Sequence, residues 1–187
     1  MKKNMILVSG MPAAGKTTFA KWLSEKLYVP LVCYDNILEK TLEIAIQSCE
    51  NEEQLRRFYS AFPYMFFWFN CEEIMKSSSF FILEYFFTNM MKETLDKLTD
   101  KYQYETLTVH CDCDIKTAYN RFVKRSKSIE GGDKIRPNNI TFDEFYKSAQ
   151  QNKDFNYGDM TIYIDTNNFD NVSYNQILEQ IRQLIKI

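Results

Sequence analysis

The sequence is poor in the residues from which several common classes of protein are built. It contains a single histidine, His110, and its five cysteines include no CxxC pair. Zinc sites draw on clusters of cysteine and histidine, and Cys111 with Cys113 lacks an obvious second pair of ligands, so we interpret both as buried or half-buried side chains. The odd number of cysteines and the absence of a signal-peptide pattern predict free thiols in a reducing cytoplasm.

Long apolar runs, repeats and an excess of positive charge are also missing. No stretch reaches the length of a membrane span, and the densest apolar run, Phe58 to Phe69, is interrupted by Ser60, Pro63 and Tyr64. The net charge of -2 gives no general attraction for nucleic acid, although it is compatible with a local basic patch. With 187 residues, 45% of them hydrophobic, the chain predicts one globular domain spanning 1–187 and leaves its oligomeric state open.

Apolar strands alternate with amphipathic helices along the chain. Short apolar runs that end at polar residues predict strands at 5–9, 29–34, 80–83, 106–110 and 161–164. Apolar residues at helical spacing predict helices at 16–27, 37–76, 88–101, 114–128, 141–150 and 173–186. The longest of these helical stretches has candidate breaks near Asn51 and Pro63. Strands that alternate with helices indicate an open α/β sandwich with a mainly parallel sheet.

The segment between the first strand and the first helix matches the phosphate-loop pattern GxxxxGK[ST]. Together with the threonine that follows, its residues are Gly10, Met11, Pro12, Ala13, Ala14, Gly15, Lys16, Thr17 and Thr18. Backbone N–H groups and the positive helix end would cradle the phosphates of ATP, Lys16 would neutralise the outer phosphates, and the Thr17 hydroxyl would reach Mg²⁺. A chance glycine turn is the alternative, and the correct flanks favour phosphate binding.

Two carboxylates follow predicted strands and are expected at the same edge of the sheet as the phosphate loop. Asp35 closes the second strand and could accept the proton of an attacking hydroxyl. Its alternative role is an N-cap for the helix that starts near Ile37. Glu84 ends the third strand and could hold Mg²⁺ through water or orient an acceptor, with a solvent-facing charge as the equal alternative.

Positive charge is concentrated in the helix at 114–128 and in the loop that follows it. Arg121 and Arg125 are four residues apart and share a helix face, from which they would stabilise the negative charge of a transferring phosphoryl group. The same region carries Lys124, Lys134 and Arg136. For these three cations, a solvated surface role is at least as good an interpretation.

The aromatic segment from Phe58 to Phe69 has two interpretations. It could wall an apolar acceptor pocket over Asp35, or it could pack a helical cap on the sheet, which is the more common role of such residues. The aromatic residues at 66–69 cover most of a helix circumference, so part of this surface must meet another element, a ligand or a subunit. A flat apolar patch here favours a protein interface, whereas a concave pocket over Asp35 favours a substrate.

With these features in order, and with Asp165-Thr166 after the last strand, the chain resembles the P-loop small-molecule kinases of the AAA_33, zeta-toxin and chloramphenicol-phosphotransferase-like group. The resemblance spans nearly the whole chain, although only the phosphate loop is individually specific. It implies a three-layer P-loop sandwich with five parallel strands in the order 2-3-1-4-5. It also implies a helical substrate-side insertion at 36–79 and a lid at 121–140.

The resemblance further implies site residues and an activity. Asp35 would be the catalytic base, Arg121 and Arg125 would act from the lid, and Thr166 with Asn167 would lie near the adenine. The expected activity is ATP- and Mg²⁺-dependent transfer of the terminal phosphoryl group onto a hydroxyl of a small molecule. The acceptor stays open, because members of this group phosphorylate sugars, nucleotide sugars, antibiotics and polynucleotide ends.

Two other functions and the choice between ATP and GTP also stay open. A 5′-hydroxyl polynucleotide kinase would need a basic groove beyond the lid. A nucleotide-dependent regulatory module would hydrolyse its nucleotide slowly and act through a partner.

Overall fold

A five-stranded parallel sheet forms the centre of the molecule in the computed structural model, which describes residues 2–126, 140–158 and 160–186. The strands are β1 (Lys3–Gly10), β2 (Leu31–Cys33), β3 (Phe80–Glu84), β4 (Tyr104–Asp112) and β5 (Met160–Asp165). They lie in the order β2-β3-β1-β4-β5, and every neighbouring pair is parallel. This order confirms the predicted α/β fold class.

Helices cover both faces of the sheet. Within the described residues they are α1 (Lys16–Leu27), α2 (Tyr34–Ser48), α3 (Glu52–Ser77), α4 (Lys92–Tyr102), α5 (Ile115–Ser126), α6 (Phe142–Lys153) and α7 (Tyr174–Ile185). Buried residues of α1, α5, α6 and α7 pack on one face, and those of α3 and α4 pack on the other. The result is the three-layer arrangement in which each sheet face is removed from water.

Strand β1 lies in the middle of the sheet and carries the phosphate loop at its end. Residues 5–10 of this strand are all buried. Ile6 and Val8 belong to the core on one face, and Met5 and Leu7 belong to the core on the other. A continuous apolar run is typical of a strand that is covered on both sides, so the loop follows directly from the buried central strand.

The second strand is shorter than the prediction of 29–34. Cys33 is its last residue to pair with β3, and it is also the N-cap of α2. Tyr34 already belongs to the helix, where the centroid of its ring lies 4.1 Å from that of Tyr85 and 5.6 Å from that of Phe67. Asp35 therefore lies in the first turn of α2 and neither ends the strand nor caps the helix.

Helix α3 begins where predicted but runs through its proline. Asn51 caps it, with its side chain accepting a hydrogen bond from the Gln54 backbone N–H, so the break near Asn51 is confirmed. The break at Pro63 is wrong, although proline inside a helix costs about 3 kcal/mol. Pro63 begins a buried stripe at four-residue spacing, and burial of that stripe offsets the cost. The stripe consists of Pro63, Phe67, Cys71 and Met75.

The remaining boundaries agree with the predicted elements to within a few residues. The start of the helix predicted at 88–101 is a 3₁₀ turn, Asn89–Met91, before α4 begins. Thr141 caps α6 in a reciprocal pair of hydrogen bonds with Glu144, as its position before the helix predicts. Lys134, Arg136 and most of the predicted lid at 121–140 lie outside the described residues, and the lid and the insertion at 36–79 stay predictions.

Two further predictions can be compared with the structure, one about the cysteines and one about membrane-spanning helices. All five cysteines are free thiols, and Cys111 and Cys113 are buried. Among the helices of the described residues, none combines the length and the apolar character needed to cross a membrane.

Candidate active site

The phosphate loop has a curved backbone that only a few residue types can adopt. Gly10 has a φ of 139°, and a Cβ there would lie 2.4 Å from the carbonyl oxygen of Cys111. Gly15 has a φ of 90°, and a Cβ there would lie 2.4 Å from the Phe169 ring. Ala13 also has a positive φ of 61°, which costs an alanine about 1 kcal/mol. A strained turn that ends at a helix N-terminus is suited to binding phosphate through backbone N–H groups.

Lys16 is the first residue of α1, and its ammonium group is held at the loop. Its Nζ donates a hydrogen bond to the carbonyl oxygen of Met11 at 3.0 Å. The same positive charge acts on Glu84, where it lowers the pKa against the larger and opposite effect of burial. Lys16 therefore lies within electrostatic reach of the end of β3 as well as of the loop.

Glu84 is a buried carboxyl group and not a solvent-facing charge. It is 2% exposed, and this burial raises its pKa, whereas Lys16 and hydrogen bonds from Cys33 and Thr17 lower it. The Cys33 Sγ donates to Glu84 Oε2 at 2.8 Å. Burial raises the pKa of the Cys33 thiol to about 12, so the thiol stays protonated and remains a donor. The contact with Thr17 places a hydroxyl and a carboxyl oxygen together beside the phosphate loop.

Asp35 and Arg125 meet across the mouth of the site from different helices. Asp35 Oδ2 in α2 lies 4.0 Å from Arg125 Nη1 in α5, and the two side chains are 36% and 44% exposed. An ion pair that is this accessible contributes little to stability. The pair matters for the site because it places a guanidinium group next to the Asp35 carboxylate.

Arg121 reaches a different part of the site from Arg125. Its guanidinium group donates to the carbonyl oxygens of Thr166 at 2.9 Å and Asn167 at 2.8 Å, and it lies 4.3 Å from the centroid of the Phe169 ring. These charge-assisted bonds tie α5 to the segment after β5. Two arginines on one helix face thus serve two separate regions.

Thr166, which was predicted to lie near the adenine, has a buried side chain that bonds to the end of β4. It is 2% exposed, and its Oγ1 donates to the carbonyl oxygen of Asp112 at 2.7 Å. The residue joins the ends of β4 and β5 and is not among the described residues that line the cavity. Phe169, which sequence analysis did not single out, lines that end of it.

One cavity of about 500 Å³ brings most of the predicted site residues together at the carboxyl edge of the sheet. Its phosphate side consists of Pro12, Ala13, Gly15, Lys16, Thr17 and Thr18. What we term its aromatic side consists of Tyr34, Asp35, Leu38, Tyr85, Phe86, Phe122, Arg125 and Ile140. Glu84, Arg121 and Phe169 complete the described lining. Among the residues predicted to bind phosphate, metal or adenine or to act in catalysis, those that do not line it are Gly10, Met11, Ala14, Thr166 and Asn167.

Several residues that line the cavity were not predicted from the sequence. Tyr34 and Tyr85 directly adjoin the two carboxylates that were singled out, and Phe122 adjoins Arg121. These neighbours could have been proposed from their positions alone. Ile140 and Phe169 follow no motif, and no signal in the sequence points to them.

The aromatic segment from Phe58 to Phe69 does not line the cavity in the described part of the chain, so its interpretation as a pocket wall is wrong. Phe67 is fully buried and packs 4.9 Å from the Tyr85 ring, as the core interpretation predicts. The opposite face of α3 exposes a second apolar stripe. Its members, which are 42–63% exposed, are Phe62, Met65, Phe66 and Phe69. A pocket over Asp35 and an apolar surface patch are therefore both present, on different elements.

Comparisons with known proteins establish the fold. No protein-family model and no curated protein matches the sequence. A protein of Chloroflexus aurantiacus that is provisionally named a kinase matches with a TM-score of 0.79 at 19% identity, over 99% of this chain and 97% of its own.

Two further solved structures are similar over nearly the whole chain. A sugar kinase of Janibacter sp. matches with a TM-score of 0.59 at 12% identity, over 99% of this chain and 95% of its own. A shikimate kinase of Bacteroides thetaiotaomicron matches with a TM-score of 0.51 at 14% identity, over 98% of this chain and 99% of its own. The chain therefore has the α/β fold of the P-loop kinases.

Proposed function

We propose that this protein is an ATP-dependent phosphotransferase that moves the terminal phosphoryl group onto a hydroxyl of a small-molecule acceptor. The observation that carries the proposal is that the phosphate loop and Asp35 line one cavity. A phosphate donor bound at the loop and a hydroxyl bound at Asp35 would share that cavity, as direct transfer requires. Membership of the zeta-toxin and chloramphenicol-phosphotransferase-like group belongs to the same proposal.

The transfer step follows from the positions of these groups. The acceptor oxygen attacks the terminal phosphorus of ATP, the bond from that phosphorus to the bridging oxygen breaks, and ADP leaves with the electron pair. Asp35 accepts the proton of the hydroxyl, either during the attack or after it. Lys16 neutralises the outer phosphates, and Arg125, next to Asp35, stabilises the charge spread over the transferring group.

A Mg²⁺ ion fits the residues at the junction of loop and sheet. The Thr17 hydroxyl and the Glu84 carboxyl group are hydrogen-bonded to each other, and Mg²⁺ prefers oxygen ligands of this kind while keeping several waters. No group of three or more histidine, cysteine or acidic residues is available as a metal site in the described ranges, so Thr17 and Glu84 with the phosphates would hold it. When bound, the ion would draw negative charge from the phosphate oxygens.

The nucleoside end of ATP would lie beside Arg121 and Phe169. Arg121 is held in place by two backbone carbonyls and by the Phe169 ring, which leaves a planar cation fixed at one end of the cavity. A planar guanidinium group is suited to stacking on a base of either purine, so this end does not by itself select ATP over GTP. Free cysteines accord with the reducing cytoplasm that we propose as its location.

The experiment that tests this function is a metabolite-library screen for ATP consumption, run in parallel on the wild type and on Asp35→Asn. We expect acceptor-stimulated turnover in the wild type and a decrease of about 10²- to 10⁴-fold in the variant. Asp143→Asn is the matched control, because Asp143 also lies in the first turn of a helix. Unimpaired acceptor phosphorylation in Asp35→Asn would show that the role assigned to this residue is wrong.

The regulatory-module alternative is supported by one observation, the exposed apolar stripe on α3. That stripe lies on the opposite face of the helix from the buried Phe67 and does not line the cavity. A module of this kind would hydrolyse ATP slowly without any acceptor. The library screen separates the two functions, because only a phosphotransferase is stimulated by a hydroxyl compound. The polynucleotide kinase alternative predicts salt-sensitive binding of oligonucleotides, and the net charge of -2 does not favour it.

A further inference from the structure

We infer that the acceptor is a neutral alcohol whose hydroxyl is attached to an apolar, ring-sized body, and not a polyol or a carboxylate. This inference rests on the proposed phosphotransferase function and concerns only the aromatic side of the cavity. Apart from Asp35 and Arg125, the described residues of that side are aromatic or aliphatic. A binding site lined in this way gains most from burying apolar surface.

The aromatic rings of this side are held by contacts within the protein. The centroids of the Tyr34 and Tyr85 rings lie 4.1 Å apart, and the buried Phe67 ring packs against both of them. Burial raises the pKa of Tyr85, and a hydrogen bond with Tyr34 raises it further, so its hydroxyl stays protonated. Because these two hydroxyls interact with each other, the part of the wall that remains for an acceptor is mainly ring surface.

Among the described residues of this side, few polar groups are left to pair with a second or third acceptor hydroxyl. Asp35 is required for the attacking hydroxyl, and Arg125 lies 4.0 Å from that same carboxylate. Glu84 already accepts a hydrogen bond from Cys33 at 2.8 Å. Each additional hydroxyl of a bound polyol would therefore lose its water without gaining a partner, which weakens binding by on the order of tenfold per group.

The charges in the same region argue against an anionic acceptor. Arg125 is the one cation among the described residues of the aromatic side, and its guanidinium group lies 4.0 Å from the Asp35 carboxylate. An acceptor carboxylate bound at Arg125 would also approach Asp35, whose repulsion opposes the attraction of that guanidinium group. A neutral molecule avoids that conflict and also avoids the desolvation of a second charge.

The test compares ATP-dependent turnover of two sets of acceptors by the wild-type protein. One set contains 2-phenylethanol and cyclohexylmethanol, and the other contains glucose and shikimate. We expect kcat/KM to be at least about 100-fold higher for the apolar alcohols. Higher kcat/KM for glucose or shikimate would overturn the inference and leave the proposed function standing. If no hydroxyl compound stimulates ATP use that depends on Lys16, the proposed function fails and the inference fails with it.

Variants of the aromatic side test whether its rings cause the preference for apolar alcohols. Tyr85→Ala should raise KM for the apolar alcohols about 10- to 100-fold, and Tyr85→Phe should leave KM nearly unchanged, because the ring provides the contact. Phe69→Ala is the control, since Phe69 is an exposed aromatic residue outside the cavity. If Tyr85→Ala does not fold, Phe122→Ala removes a second ring of the wall in the same assay. A truncated wall with an unchanged KM for the apolar alcohols would contradict the inference.

Discussion

The two sides of the cavity are built in different ways. The phosphate side is one continuous segment whose backbone would do most of the binding under the proposed function, whereas the aromatic side collects side chains from α2, the end of β3, α5 and residue 140. Phosphates look alike in every nucleotide, so a contiguous backbone motif can bind them in many proteins. Acceptors differ, and the residues that we propose to select them are dispersed along the chain. The proposed donor site is therefore visible as a motif, and the proposed acceptor site becomes visible only in three dimensions.

Replacing Lys16 tests whether the phosphate side acts independently of the acceptor. We expect Lys16→Ala to lower kcat/KM by about 10³-fold for every acceptor, because the lost charge lies at the phosphate loop, where the nucleotide would bind. Steady-state kinetics with two unrelated acceptors measure this, and Lys21→Ala on the exposed side of the same helix serves as the control. If the decrease in kcat/KM differs strongly between the two acceptors, the phosphate side does not act independently of the aromatic side.

The two arginines of α5 should show different kinetic defects. We expect Arg125→Met to lower kcat by about 10- to 100-fold with little change in the KM for ATP, because Arg125 lies beside Asp35. Arg121→Met should instead raise the KM for ATP and lower the melting temperature, because it leaves the carbonyls of Thr166 and Asn167 without their donor.

Each arginine variant serves as the control for the other, since both remove one positive charge from the same helix. Thermal unfolding and initial-rate kinetics separate the two defects. Equal effects of both substitutions on kcat would contradict the division of roles.

Glu84 lies between the two sides, and replacing it should have the smallest effect. We expect Glu84→Gln to lower activity about tenfold and to raise the Mg²⁺ concentration needed for half-maximal rate, because the oxygen that we propose to bind the metal loses its charge. The same change should raise the melting temperature by about 2–4 °C near neutral pH, because it removes a buried charge.

The pH dependence of stability provides the check on Glu84. Burial raises its folded-state pKa above the ordinary value of 4.5, so the folded protein holds a proton that the unfolded chain has released. Stability from this group is present below about pH 4.5 and is lost as the pH rises through the folded-state pKa. Glu84→Gln should flatten this decrease. An identical decrease in wild type and variant would show that Glu84 is not the group responsible.

Sequence patterns predicted the features that depend on neighbours along the chain. The sheet order follows the resemblance carried by the phosphate loop, and the cap at Thr141 follows from its position at the start of the predicted helix. The break at Pro63 was predicted wrongly, because the local cost of proline was outweighed by tertiary burial of its helix face. The end of β2 was misplaced for a similar reason, since Tyr34 packs on rings that lie far away in the sequence.

Long-range packing also decided which aromatic residues reach the site. The densest aromatic segment, Phe58 to Phe69, divides between the core and the surface, and the cavity takes its rings from isolated positions instead. Arg121 and Arg125 are equivalent in the helical pattern, yet only the contacts of α5 with the segment after β5 and with α2 show that they have different partners. Periodicity predicts which residues share a face and does not predict what that face meets.

The central claim is that the two sides of the cavity act together in direct transfer, and isotope labelling tests it most directly. The protein would be incubated with ATP that carries ¹⁸O on its terminal phosphoryl group, together with an acceptor from the library screen, and the products would be analysed by mass spectrometry. We predict that the labelled phosphoryl group appears on the acceptor hydroxyl and that Asp35→Asn slows formation of this product by about 10²- to 10⁴-fold. Label found only in inorganic phosphate, at the same rate with and without acceptor, would contradict the account.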